Sequence, residues 1–438
     1  MLPIPLEQYD PVTIKIANIL LLAGEFNRKD LDIICGGKRK AARYLYQHKR
    51  MFKLVRKQYK RTVQRYIRPI LSRKEETHFS LLLDALGEDG AAKKYYIENV
   101  WENGKLQTNE SSSYRNASIA HSAMLFYDHF DVLAWKRKSL RDTYLEEAPI
   151  PLNTFYPASE IKWFAEAGES FEYRNSMSTG TLVCDNGTFV MYALKQRPRN
   201  KIAWKAGTEE RYLMQVENVF KAVKCPEINK SADKLIVLGK ERVAASICEA
   251  MLTSEDKDVG LKLPESVNKV VFLPDEDPSG QEIVDILSIP DYQSRIRDYY
   301  IPEKYRQLAN SKTEDGYTDD LVFDENGKEI KDENGNSITE EKEVLLLFDN
   351  DLSRLCAALN KTTRKIKKLM IYCLDSQYEL INGIRILFEN LREKERNRES
   401  DNTQEIIYDY DDVTISILTE SFEDLMENIR KEEEENVS

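Results

Sequence analysis

The chain has 438 residues, 41% of them hydrophobic, with a formal net charge of −11. That length exceeds one average domain and implies two or three cores, while no apolar run approaches the roughly twenty residues of a membrane span. Residues 1–5 lack the basic and apolar regions of a secretory signal, so the expected location is the cytoplasm, with no membrane contact. Six cysteines (Cys35, Cys184, Cys225, Cys248, Cys356, Cys373) stand singly, and the four histidines (His48, His78, His121, His129) offer no zinc-type spacing. Free, buried thiols are expected, and neither a metal nor a cofactor.

Charge is unevenly placed. Residues 33–74 carry fifteen lysines and arginines and no aspartate or glutamate, which leaves the other 396 residues at −26. A positive stripe on an acidic protein suits a polyphosphate partner, because each cation that meets a phosphate releases condensed counterions.

In chain order, residues 12–22 are apolar at helical spacing and Gly24 closes them. Asn27 as an N-cap, with Asp30 at the third helical position, predicts a short helix to Cys35. Gly36 and Gly37 make a turn, and a third helix is expected over 38–48, with Ala41, Ala42 and Leu45 inward and Lys38, Arg39, Lys40, Arg43 and Tyr44 outward. Strand-like runs at 52–56 and 63–68 follow, about a polar turn at 58–61. This is the order of a winged helix-turn-helix over residues 1–78. Its third helix would approach base edges, and Arg56, Lys57, Lys60, Arg61 and Arg65 would lie over phosphates or a minor groove. Solvated helix faces usually interleave both signs of charge, and this one does not. Double-stranded DNA is the expected partner; RNA is disfavoured by the lack of an RNP-type aromatic pattern or a Gly-x-x-Gly loop.

The body, 79–391, reads as α/β. Helical spacing runs over 80–101, and a buried helix over 117–135 would carry His121 and His129 as core residues. Residues 180–184 and 188–194 form a hairpin about Asn186-Gly187. Restriction-type nucleases present an acid on one such strand and an acid-x-lysine on the next. Asp185 and Lys195 fit that pattern, but Ala193 stands where the second acid is needed, which predicts a degenerate restriction-endonuclease-like fold.

Strand-then-helix units follow: 235–239 with 241–252, 270–274 with 281–287, 344–348 with 352–359, and 369–373 with 378–391. Together they predict a largely parallel sheet. Asp275, Asp277, Asp349 and Asp351 sit at strand ends, where a Toprim-like enzyme holds magnesium. Toprim also needs a glutamate after its first strand, and the chain has Leu238-Gly239-Lys240 there; helix capping is the competing use of such aspartates. Residues 312–342 read as an exposed acidic insertion, and Asp324-Glu325-Asn326-Gly327 misplaces the glycine of a calcium loop. Residues 392–438 read as a charged linker, an amphipathic segment and an acidic tail.

The segments 14–71, 120–122, 347–355 and 371–377 resemble the replication-relaxation family of bacterial plasmids and integrative elements, in which a winged helix precedes a degenerate nuclease-like domain. The resemblance implies an accessory protein of plasmid replication or conjugative transfer that marks DNA and recruits a relaxase or replication initiator. A homodimer reading two half-sites is compatible with it. A metal-dependent nuclease using the strand-end aspartates is the alternative.

Overall fold

In the computed structural model, Asp10 starts the first helix. Its carboxylate accepts from the Thr13 amide at 2.9 Å and Pro11 fills the first helical position, so α1 runs Pro11–Ala23 and stops at Gly24. The structure describes residues 5–59, 62–72, 75–102, 110–166, 176–194, 204–224, 231–253, 263–275, 279–300, 317–321, 328, 330–362, 368–400 and 413–437. The chain is mixed α/β and divides into two compact units, Met1–Ala193 with Thr208–Ala232, and Leu194–Gly207 with Asp233–Ser438.

In the first unit, α1 is followed by β1 (Phe26–Asn27), α2 (Arg28–Ile34), α3 (Lys38–Gln47), β2 (Phe52–Tyr59) and β3 (Thr62–Pro69). The strands form an antiparallel sheet in the order β1-β3-β2. Asn27 caps α2 as expected. Gly36 and Gly37 turn the chain into α3 at φ 69° and 124°, values that side chains resist.

Residues 16–23 of α1 are each at most 5% exposed, and a helix apolar all round must be covered on every side. The cover comes from α4 (His78–Leu86), α5 (Ala91–Tyr96) and α6 (Glu110–Phe126), so the first unit continues well past residue 78. The helical run expected over 80–101 is interrupted at Gly87, where a Cβ would stand 2.9 Å from the Trp135 ring, and resumes after Gly90. The helix expected over 117–135 runs instead from Glu110 to Phe126. His129 falls in the turn beyond it and is exposed, which corrects its core assignment.

The unit is completed by α7 (Leu140–Leu145), β4 (Thr154–Pro157), α8 (Ala158–Glu166), β5 (Ser178–Cys184), β6 (Gly187–Ala193) and α9 (Ala206–Ala222). Strands β4, β5 and β6 pair antiparallel in that order, and β5 and β6 are the expected hairpin. Near its start, Glu209 of α9 is 1% exposed and accepts from Ser176 Oγ at 2.7 Å and the Met177 amide at 3.0 Å.

The second unit contains β7 (Lys234–Gly239), α10 (Glu241–Leu252), β8 (Lys269–Pro274), α11 (Ser279–Leu287), α12 (Tyr292–Tyr300), β9 (Tyr317–Leu321), β10 (Thr339–Leu346), α13 (Leu352–Lys361), β11 (Lys368–Leu374), α14 (Tyr378–Ser400), β12 (Thr414–Glu420) and α15 (Phe422–Val437). The strand–helix alternation matches the expectation, but the four anticipated strands do not join as consecutive neighbours. β7 and β8 are parallel, β10, β11 and β12 are parallel, and β9 lies antiparallel on β10. The chain leaving β10 turns at Asn350, φ 56°, and crosses β8 there: the Phe272 amide donates to Asn350 O at 3.1 Å and Asn350 Nδ2 donates to Phe272 O at 2.9 Å. The side-chain amide and backbone carbonyl of Asn350 thus occupy the carbonyl and amide of Phe272 that another strand would use.

Part of the expected insertion is therefore sheet, in β9 and β10, and its turn at Asn334-Gly335 is capped by Asp332. The expected linker from 392 continues as helix to Ser400, and the acidic end is helical to Val437. Charged residues at helical spacing remain compatible with helix when their heads reach water, as in the Arg385–Glu389 pair at 2.8 Å. The 324–327 segment lies outside the described residues.

Candidate nucleic-acid interface

Helix α3 has two stripes at helical spacing. Ala41, Tyr44, Leu45 and His48 face inward, the first two buried and the others half-buried. Arg39, Ala42, Arg43 and Tyr46 face outward, with Lys38 and Lys40 exposed beside them. Tyr44, expected on the outer face, is 8% exposed: its hydroxyl meets Thr13 Oγ1 at 2.7 Å and its ring stacks on Phe52. Burial pushes its phenol pKa up. Tyr44 fastens α3 to α1 and β2. Ala42, expected in the core, is exposed.

Side chains alternate across the β2–β3 hairpin, and its two faces differ in charge balance. On one face Lys57 is 8% exposed and donates to both oxygens of Glu25, each at 3.1 Å, and to Ser113 Oγ. Arg68 Nε donates to the same carboxylate at 2.6 Å. Glu25 is fully buried, so the two cations supply the partners that water cannot. Burial lowers the Lys57 ammonium below the usual lysine range, with Glu25 pulling the other way. Lys57, expected on phosphate, is an internal anchor between the hairpin, the end of α1 and α6.

On the other face Arg56 and Arg65 stand directly opposite each other, both exposed, with Leu54, Gln58 and Val63 around them. Among the described residues, no acidic partner reaches Arg39, Arg43, Arg56 or Arg65. Lys60 and Arg61, at the hairpin tip, lie outside the described residues. Tyr46, 73% exposed with the Lys49 ammonium 4.9 Å from its ring centre, joins this surface without being singled out by the sequence, whereas Lys53 is exposed opposite Arg68 on the Lys57 face. Helical spacing from Arg39 would have found Tyr46. Polarity alone put Ala42 inside.

The strand-end aspartates of the second unit are differently placed. Asp349 is 1% exposed: Oδ2 accepts from Lys269 at 2.8 Å and from the Tyr292 hydroxyl, and Oδ1 lies 3.5 Å from Arg354 Nη1. Asp351 caps α13, accepting from the Ser353 amide at 2.9 Å, and also takes the Val270 amide at 3.3 Å. Burial pushes the Asp351 carboxyl up, opposed by Lys269. Both carboxylates are engaged by donors inside the protein.

Asp275 is half-buried and Asp277 lies outside the described residues. Asp185 is exposed in the β5–β6 turn, where Asn153 Nδ2 donates to it at 3.2 Å; Lys195 lies outside the described residues. Among the described residues no three His, Cys, Asp or Glu side chains gather as a metal site. His121 Nδ1 lies 3.0 Å from Asp30 Oδ1, so the acid expected to serve the start of α2 faces the core. Cys184, Cys248, Cys356 and Cys373 are buried free thiols; Cys35 is half-buried, and Cys225 lies outside the described residues. Among the described residues no helix is long and apolar enough to cross a membrane.

No family model, curated protein or solved structure matches the chain.

Proposed function

We propose that the chain is a cytoplasmic, sequence-specific double-stranded DNA-binding protein, and that it serves a bacterial mobile element as an accessory of replication or conjugative transfer. The observation that carries the DNA reading is the unpartnered positive surface of α3 and the outer hairpin face: Lys38, Arg39, Lys40, Arg43, Arg56 and Arg65 are exposed while the acid nearest the hairpin, Glu25, is buried and already paired. The element order α1, β1, α2, α3, β2, β3 with sheet order β1-β3-β2 supports a winged-helix reading. In it, α3 addresses base edges in a major groove and the hairpin lies beside it. Arg39 and Arg43 are the direct readers, Ala42 between them leaves room for close approach, and Lys38 and Lys40 hold phosphate.

The mobile-element setting rests on the sequence resemblance alone, and recruitment of a relaxase or initiator belongs to it. The residues outside 33–74, at −26, repel DNA and suit protein contacts.

The test is a gel-shift titration with fragments selected from the source genome at several salt concentrations. Replacing Arg39 and Arg43 with glutamate is expected to abolish specific binding, and removing one phosphate-binding lysine to lower the salt slope by about 1. Undiminished binding by the Arg39→Glu, Arg43→Glu protein overturns the reading.

A further inference from the structure

We propose that the Arg56–Arg65 pair enters the minor groove of A·T-rich DNA, so that the hairpin selects base composition at positions α3 does not touch. This rests on the DNA-binding reading above.

The register places the two arginines directly opposite on one face of the hairpin. Like charges at directly opposite positions repel each other, and among the described residues no carboxylate separates these two. The next residue along β2, Lys57, has its ion pair on the other face, with Glu25 fully buried. Glu25 thus serves Lys57 and Arg68 on one face of the hairpin, while two guanidiniums stand on the other with no acid reaching them among the described residues. An anionic partner relieves their repulsion.

Geometry favours a groove over separate phosphates. Directly opposite Cβ atoms lie roughly 4.5–5.5 Å apart, within the about 6 Å width of a B-form minor groove. Two flexible arginine side chains rooted that close together are able to converge on one groove. Leu54 and Val63, 41% and 58% exposed, flank them and offer apolar contact to the groove walls instead of further phosphate donors. A·T-rich tracts narrow the minor groove and deepen its negative potential, which draws arginine in. Their base edges offer only acceptors there, whereas guanine adds an amino donor that opposes a guanidinium.

Inosine provides the test, because replacing guanine with it removes that amino group and leaves the major-groove pattern intact. Binding of the full chain is measured on a G·C-rich duplex and on its inosine-substituted twin. The wild type is expected to bind the inosine duplex about fivefold or more tightly. An Arg56→Lys, Arg65→Lys protein keeps the charge without the planar fork, and is expected to bind both duplexes alike. Equal wild-type binding to the two duplexes, with binding to both still lost in Arg39→Glu, Arg43→Glu, overturns the minor-groove proposal and leaves the DNA reading standing. Wild-type binding to neither duplex, or no loss in the α3 variant, overturns both.

Discussion

The outer face of the β2–β3 hairpin and the turn after β10 are both dense in charge, and they treat it in opposite ways. The hairpin leaves Arg56 and Arg65 exposed and opposed, with no acid beside them among the described residues. The turn after β10 buries Asp349 and Asp351 and gives each several donors. The comparison teaches that charge type and position along an element do not mark an interaction surface. What marks it is whether the protein itself supplies the partner, because a buried charge must be paired internally and an exposed unpaired cluster is retained at a cost.

The contrast is most severely tested at Asp349. Asp349→Ala leaves Lys269 buried without its closest acid and is expected to cost about 3–5 kcal/mol of stability, read by chemical denaturation; a negligible change would mean that the aspartate is not structural. Lys57→Ala should act in the same way on the first unit. Glu25 keeps Arg68, so the expected loss is about 3 kcal/mol, and a variant that keeps full stability but loses DNA affinity would return Lys57 to the interface.

Arg39→Ala should leave stability within about 0.5 kcal/mol and weaken the preferred duplex by about 1–3 kcal/mol with relaxed preference at one base pair. Competition titrations against substituted duplexes measure both. Arg56→Thr should show a smaller effect of the opposite sign on folding: relief of the cross-strand repulsion is expected to stabilise by about 0.2–1 kcal/mol, while DNA affinity falls. An arginine whose removal destabilises the hairpin would have an internal partner after all.

The smallest expected effect concerns pH. Burial raises the Glu209 carboxyl above its ordinary value, so the folded protein holds that proton more tightly than the unfolded chain does. Its contribution is fully present below the unfolded value and fades as pH rises through the folded one. Acidification from neutral pH should therefore favour the wild type relative to Glu209→Gln, whose side chain does not titrate. Melting temperatures of the two proteins across that interval give the sign.

Local chemistry makes several elements legible from sequence alone. Gly24 closes α1, Asn27 begins α2, Gly36-Gly37 precedes α3, and Asn186-Gly187 joins β5 to β6. Caps and turns act over a few residues, so the sequence contains the whole of their cause. The exposed arginines of α3 and the hairpin are legible for a related reason: an unbroken positive run cannot neutralise itself.

Tertiary structure decided which members of that run stayed outside. Lys57 and Arg56 are neighbours of similar chemistry, and the pleat sends one to Glu25 and the other to solvent. Tyr44 turned inward because Thr13 and Phe52 await it, both from other elements, and Ala42 turned outward because α3 has only one buried stripe. Asp349 became structural through Lys269, eighty residues away along the chain. Sequence by itself determined the α/β alternation, the approximate extent of the first three helices and the location of the positive charge, since these follow from short-range geometry and composition. Only the fold assigned each charge a partner or left it without one, because ion pairing depends on distances of a few ångströms between residues remote in the chain.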